Sequence, residues 1–125
     1  MILIDSKLPE ALLHTTNKIF SGIHYSKRSR IKTDFRWWYK SLKKVPICID
    51  HGPIHLHFKF TFKKRAYDCD NCSFMGKMIL DCMVKDGAFK DDSPKYISSI
   101  TYTSLKNTED RIIVSIKPSS IKIDS

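Results

Sequence analysis

The nine residues 54–62, IHLHFKFTF, restrict the fold of this chain more than any other stretch. Isoleucine, leucine or phenylalanine occupies every second position, and histidine, lysine or threonine occupies the positions between them. Side chains of a β-strand point alternately to the two faces of its sheet. The pattern therefore predicts a strand with one buried face and one polar face.

Two helices are predicted to pack on that sheet. Residues 27–44 have apolar side chains at spacings of four, three and four, and their polar positions are rich in lysine and arginine. The apolar residues of the stretch 74–86 also recur at three and four. Gly87 follows this second stretch and suits the left-handed position that ends a helix. Asp70 or Asn71 is predicted to cap its N-terminus.

The remaining elements complete an α+β domain. Residues 1–4 and 96–105 are predicted strands, and residues 111–117 are predicted to form a hairpin with the second of them. Residues 15–25 are rich in turn formers and predict an ordered loop, and residues 118–125 are a polar tail. We expect one domain over the whole chain, with a mixed sheet of about four strands and two main helices.

Length and composition favour a folded protein. The chain has 125 residues, of which 42% are hydrophobic and 11% aromatic, enough to form a core. It has no run of about 18 apolar residues, and its first residues lack the apolar core of a signal peptide. We expect a cytoplasmic protein with reduced cysteines, and neither a membrane nor a small-molecule substrate among its partners.

Charge is divided unevenly along the chain, whose net charge is +9. Residues 1–67 contain fourteen Lys and Arg against four Asp and Glu, whereas residues 68–92 contain three against six. A basic body around an acidic stretch is typical of a protein that binds a polyanion beside a cation site. The basic helix predicts phosphate contacts, with Trp37 or Tyr39 available for a base, although a solvated basic face explains the same pattern.

The acidic stretch, residues 68–92, predicts divalent-metal chemistry. Asp68, Asp91 and Asp92 have no role in the predicted helix, and clustered carboxylates repel one another unless a cation lies between them. Carboxylate oxygens suit Mg²⁺, which shares its ligand sphere with water and phosphate; Mn²⁺ is the alternative ion. Lys77 would neutralise charge at such a site. Asp81 either takes part as well or only forms an i,i+4 ion pair with Lys77.

These residues resemble the signature of RusA-type Holliday-junction resolvases. The similarity consists of Asp68-x-Asp70-Asn71, then Lys77, Asp81, Gly87 and Asp91-Asp92, and more loosely of Thr16-Asn17-Lys18. That family comprises small, often phage-derived, Mg²⁺-dependent endonucleases that act as homodimers. The resemblance implies an endodeoxyribonuclease that resolves four-way junctions and other branched DNA during recombination and repair by paired phosphodiester hydrolysis.

The resemblance also implies roles for individual residues. Catalysis is expected from Asp68, Asp70, Asp92 and Lys77, and metal binding from Asp68, Asp70, Asp91 and Asp92. The charge pattern adds basic residues expected to contact DNA, namely Lys27, Arg28, Arg30, Lys32, Arg36, Lys63, Lys64 and Arg65. The spacer CSFMG between Asn71 and Lys77 is longer than in the family pattern. The additional length is nearly one helical turn, which keeps Lys77 on a similar face.

The second carboxylate pair raises a question of distance. A helix over residues 74–86 is about 20 Å long, whereas residues 87–90 span at most about 14 Å. For Asp92 to share a metal with Asp70, either residues 68–75 fold back or the partner of a dimer completes the site. A two-fold dimer with two active sites would match the symmetry of a four-way junction.

Other interpretations stay open. Cys69-x-x-Cys72, with Cys48, Cys82 and the histidines around 51–57, is compatible with part of a zinc site, but no second pair follows at a suitable spacing. A Cys–His hydrolase would need an oxyanion element, and none is recognisable. The two main alternatives are a non-catalytic basic DNA-binding module and a metal-dependent nuclease for other branched or duplex DNA.

Overall fold

The computed structural model describes residues 1–21, 25–42 and 47–118. Within these ranges it contains a four-stranded mixed sheet and three α-helices, which confirms the predicted α+β class. The elements in chain order are β1 Ile2–Lys7, α1 Thr16–Phe20, α2 Tyr25–Ser41, β2 Ile54–Phe62, α3 Ser73–Lys85, β3 Ile97–Lys106 and β4 Arg111–Pro118. Short 3-10 turns at Glu10–Leu12 and Cys69–Cys72 precede α1 and α3. None of the helices in the described ranges is long and apolar enough to cross a membrane.

The strand predicted from alternation lies in the middle of the sheet. The strand order is β1-β4-β2-β3, with β2 parallel to β3 and antiparallel to β4. Leu56, Phe58 and Phe60 of β2 are fully buried, while His55 and His57 on the opposite face are only half-buried. The helices therefore cover one face of the sheet and leave the other face polar, as the alternation predicts.

The predicted hairpin between β3 and β4 is wrong, because β2 lies between these two strands. Helix α3 crosses the sheet and returns the chain parallel to β2 on one side, so β4 takes the other side. The connection then passes the end of β2. Asn107 donates its backbone N–H to the carbonyl of Phe62, and the Thr61 hydroxyl donates to the carbonyl of Glu109.

The segment predicted as a loop, residues 15–25, contains the short helix α1 instead. Thr15 caps this helix by accepting a hydrogen bond from the backbone N–H of Lys18, and Ile19 is buried in the core. Residues 22–24 lie outside the described part. Helix α2 begins at Tyr25, two residues before the predicted start, and ends at Ser41; the predicted remainder at 43 and 44 is not described.

Helix α3 matches its prediction at the core and at its end. Its predicted apolar stripe is buried and consists of Phe74, Met75, Met78, Ile79, Cys82 and Met83. Gly87 has a φ of 87°, which confirms the predicted left-handed residue beyond the helix. Gly76 is needed for close packing, since a Cβ placed there would lie 2.5 Å from Cε1 of Tyr102 on β3.

Candidate functional site

The start of α3 is joined to α1 by side-chain hydrogen bonds. The hydroxyl oxygen of Thr16 accepts the backbone N–H of Phe74 at 2.8 Å, and it lies 2.9 Å from the hydroxyl of Ser73. The Ser73 hydroxyl donates to the carbonyl of Asp70 at 2.9 Å, so Thr16 is the donor to Ser73. The N-terminus of α3 is thus capped from another helix.

The predicted cap by Asp70 or Asn71 is therefore wrong. These residues belong to the 3-10 turn Cys69–Cys72, and the residue before α3 is Cys72, whose side chain makes no capping hydrogen bond. Asn71 bonds outward instead, because its Oδ1 accepts the backbone N–H of Asn17 at 3.1 Å. Thr16-Asn17 and the acidic stretch, far apart in sequence, are consequently in direct contact.

Asp68 and Asp70 are both exposed at this turn. Asp68 is the residue before the turn, and its carbonyl accepts the backbone N–H of Asn71 at 2.9 Å. Asp70 contributes only its carbonyl to the bonds described above, so its carboxylate is open to solvent. The turn presents both carboxylates beside the first residues of α3.

Asp92 returns to α3 at the level of Lys77. Both side chains line a cleft of about 330 Å³, which we call the apolar cleft. Its lining residues are Thr16, Phe20, Ser73, Phe74, Lys77, Leu80, Asp92, Ile100 and Tyr102. Residues 87–92 can span about 20 Å, which allows this return within one chain. Asp92 therefore lies in one cleft with Ser73 and Lys77 of α3, whereas Asp68 and Asp70 are not among its lining residues.

A second cleft of about 340 Å³ lies on the other side of Asp92 and is called the basic cleft. Its lining residues are Lys32 and Arg36 of α2, Met78, Asp81, Cys82, Val84 and Lys85 of α3, and Asp92. Three cations here face two carboxylates, which leaves a positive surplus for an anion. Lys77 in the apolar cleft and Asp81 in the basic cleft form an ion pair of 3.7 Å between Nζ and Oδ1.

The positions of the predicted metal-binding carboxylates show whether they come together in one site. Among residues 1–21, 25–42 and 47–118, no three His, Cys, Asp or Glu side chains come together as metal ligands. Asp91 is turned to its own chain, where Oδ1 accepts the backbone N–H of Ser93 at 2.7 Å. Hydrogen bonds from the side chain and backbone of Ser93 lower the pKa of Asp91. Within these ranges the side chains therefore do not form a cage of protein ligands.

The predicted DNA-binding residues do not form one surface. Lys32 and Arg36 line the basic cleft, whereas Lys27 and Arg30 line a hollow on the other side of α2, near His14 and Asp34. Arg28 is half-buried. The three cations after β2 are exposed; Lys64 forms a 3.2 Å ion pair with Glu10, and Lys63 and Arg65 are its neighbours in sequence.

Of the two aromatic residues predicted to be available for a base, only one is exposed. Tyr39 is 3% exposed, so its prediction as a base contact is wrong. Burial, followed by the charge of Asp86, raises the pKa of Tyr39. Trp37 is 69% exposed, and the ammonium of Lys40 lies 5.7 Å from its ring centroid.

The cysteines and histidines have structural environments. Cys72 is fully buried, and burial raises the pKa of its thiol to about 11, whereas Cys69 is exposed. The Cys-x-x-Cys pair is thus divided between core and solvent. His55 bonds through both ring nitrogens to Ser99 and Thr101 of β3, at 2.5 and 2.9 Å, which is typical of a strand surface.

Sequence reasoning missed several residues that line the two clefts. Lys85 follows Asp81 by one helical turn, so its place beside the basic cleft was available from helical spacing. Phe20 and Ile100 gave no such signal, because they come from a short helix and a strand edge that meet only in the folded chain.

No protein-family model matches this chain, and no curated protein matches it either. The relation to RusA-type resolvases is therefore a resemblance of particular residues.

Proposed function

We propose that this protein is a Mg²⁺-dependent endonuclease that resolves branched DNA, the activity implied by its resemblance to RusA-type resolvases. One observation supports the proposal most. The two parts of the resemblance that are distant in sequence, Thr16-Asn17 and Asn71, are hydrogen-bonded to each other. The cleft that begins at Thr16 contains Lys77 and Asp92, two more residues of the same signature.

In such a reaction the two clefts have different roles. The cations of the basic cleft, Lys32, Arg36 and Lys85, bind phosphates of the DNA backbone. Lys77 stabilises negative charge on the phosphodiester beside Asp92, and Asp92 orients the attacking water. Mg²⁺, if held beside this water, would supply a Lewis acid that lowers its pKa. The resemblance assigns Asp68, Asp70, Asp91 and Asp92 as the carboxylates that would hold it. Of these, Asp92 lines both clefts, and Asp91 accepts a hydrogen bond from Ser93.

A homodimer is part of the proposal, because resolution of a four-way junction requires two cuts at symmetric positions. A two-fold dimer presents two identical sites and matches the two-fold symmetry of the substrate. It also offers carboxylates from a second chain to a site in which no three ligands of the described residues meet. Sedimentation measurements with and without junction DNA test this part independently.

The decisive experiment compares a labelled four-way junction with a linear duplex of the same sequence, each with Mg²⁺ or with EDTA. We expect symmetric nicks in the junction only, and only with Mg²⁺. Asp70→Asn and Asp92→Asn are expected to lower the cutting rate at least about 100-fold while junction binding persists. Asp50→Asn is the matched control, because the side chain of Asp50 is 91% exposed and lies outside both clefts.

Each of the other possible results of this experiment supports one of the alternative functions. Binding without cutting in Mg²⁺ or Mn²⁺ would leave a basic DNA-binding module, for which the positive surplus of the basic cleft is the supporting observation. Equal cutting of duplex and junction would leave a metal-dependent nuclease without branch preference. Undiminished cutting by Asp70→Asn or Asp92→Asn would overturn the assignment of that residue.

A further inference from the structure

Phe20 is an unusual residue to find at a charged site. It ends α1 and is 67% exposed, although full burial of such a side chain typically contributes about 1.5–3 kcal/mol. Phe74 lies against it edge to face, with ring centroids 6.4 Å apart and an interplanar angle of 84°. The ring of Phe20 therefore packs against Phe74 on one side and is exposed to solvent on another.

Phe20 does not stand alone on this surface. Ile100, on the edge strand β3, is 40% exposed and lines the same apolar cleft. Lys77 and Asp92 line it as well, so two apolar side chains, Phe20 and Ile100 (the apolar shelf), share one opening with a cation and a carboxylate. Two partly exposed apolar side chains therefore lie in one cleft with charged groups.

We infer that Phe20 stacks on a base at the branch point of the DNA, beside the phosphate that is cut; this rests on the proposed function. A nucleobase has a flat apolar face and is attached to a phosphate, so it matches an aromatic ring next to Lys77. The positive surplus of the adjoining basic cleft favours a polyanion over an apolar peptide or a second basic copy of this chain.

The same contact would distinguish branched DNA from duplex. Bases of a duplex already stack on their neighbours, and unstacking one of them costs a few kcal/mol. At a branch point this penalty is smaller because stacking is interrupted there. Phe20 therefore acts as a specificity-determining residue, whereas the cations of the basic cleft bind the backbone of either DNA.

The test measures binding in Ca²⁺, with a four-way junction and a linear duplex of the same sequence, for wild type, Phe20→Ala, Phe20→Trp and Phe20→Leu. We expect Phe20→Ala to weaken junction binding by about fivefold to a hundredfold and to leave duplex binding nearly unchanged. Phe20→Trp should retain the preference. Phe20→Leu keeps an apolar side chain without a ring and should lose it.

A second readout follows the base directly. With 2-aminopurine at the branch point, we expect its fluorescence to be quenched by Phe20→Trp and to rise in Phe20→Ala relative to wild type. Leu105→Ala is the control for loss of an exposed apolar side chain, since Leu105 is 46% exposed and lies outside the cleft.

Two results would overturn the inference. One is a Phe20→Ala protein that keeps the junction preference of wild type. The other is a Phe20→Ala protein whose oligomeric state changes, because the shelf would then bind a second copy of the chain. Neither result bears on the proposed function, which depends on cutting in Mg²⁺. Conversely, a protein that never cuts DNA can still show the stacking preference.

Discussion

The apolar cleft and the basic cleft share Asp92 but differ in the charge that surrounds it. On one side the carboxylate faces Phe20, Ile100 and a single cation, Lys77. On the other side it faces three cations across the groove between α2 and α3. Charge in the first cleft is nearly balanced, whereas the second has a positive surplus. Under the proposed function, the first cleft would be the place for chemistry on one phosphate and the second the place that binds several.

Packing explains why the two clefts differ. The basic cleft lies between two helices whose facing surfaces are polar beyond the core stripe, so long cationic side chains extend along it. The apolar cleft is lined by α1, α3 and the edge strand β3, and Tyr102 of β3 stacks on Phe58 at 5.6 Å beneath it. Its floor is therefore continuous with the hydrophobic core.

The largest expected difference between the clefts comes from removing one lysine from each. Lys77→Ala should lower the cutting rate on saturating junction DNA about 100-fold, because it removes a positive charge from the site of reaction. Lys85→Ala should weaken binding and leave the rate at saturation nearly unchanged. Single-turnover rates and dissociation constants measured for both variants separate the two effects.

The control for this pair is Lys106→Ala, an exposed lysine at the end of β3. Equal losses of rate in Lys77→Ala and Lys85→Ala would contradict the division of roles between the clefts.

The next largest effect concerns salt. If the basic cleft binds backbone phosphates, Lys32→Ala and Arg36→Ala should each reduce the slope of log affinity against log salt by about 1. The loss should be the same for junction and duplex, because phosphate contacts contain no information about branching. Titrations at three or more salt concentrations measure the slope. A loss specific to the junction would assign Lys32 and Arg36 to branch recognition instead.

A smaller effect is expected on stability at the floor of the apolar cleft. Gly76→Ala places a Cβ 2.5 Å from Cε1 of Tyr102, and overpacking of this kind destabilises by about 1–3 kcal/mol. The gain in helix propensity offsets up to about 1 kcal/mol. We expect a net loss of about 1 kcal/mol in the free energy of unfolding, measured by urea denaturation.

An increase in the stability of Gly76→Ala would show that Tyr102 moves aside freely. The same variant then tests the cleft, because a displaced Tyr102 changes its lining while Lys77 and Asp92 stay in place.

The sequence predicted correctly those secondary-structure elements that depend on patterns within a few neighbouring residues. The alternation in β2 and the apolar stripe of α3 repeat within a few residues, and both elements form as predicted. The turn after α3 was equally predictable, since Gly87 is a glycine at the position that requires a positive φ.

Predictions failed for features that depend on contacts between residues far apart in the sequence. The cap of α3 comes from Thr16, which is 58 positions away from the N–H that it accepts. The order of β3 and β4 depends on which side of β2 each strand occupies, and the turn between them does not specify that. Phe20 acquires its neighbours only when α1 packs against α3. Of the four carboxylates predicted to bind metal, Asp92 lines both clefts, and no pattern in the sequence predicted that division into two clefts.

The smallest expected effect is that of replacing Asp81. From the sequence alone, Asp81 was either a functional residue or a member of a surface ion pair. Its 3.7 Å pair with Lys77 joins side chains that are 33% and 64% exposed, so solvent screens it. Asp81→Asn should therefore change the free energy of unfolding by no more than about 0.5 kcal/mol. In the basic cleft the same change removes a negative charge and should strengthen DNA binding about twofold, because one carboxylate no longer repels phosphate. If Asp81→Asn instead lowered the cutting rate about 100-fold, Asp81 would take part in the reaction together with Asp92. The assignment of binding to one cleft and reaction to the other would then be wrong.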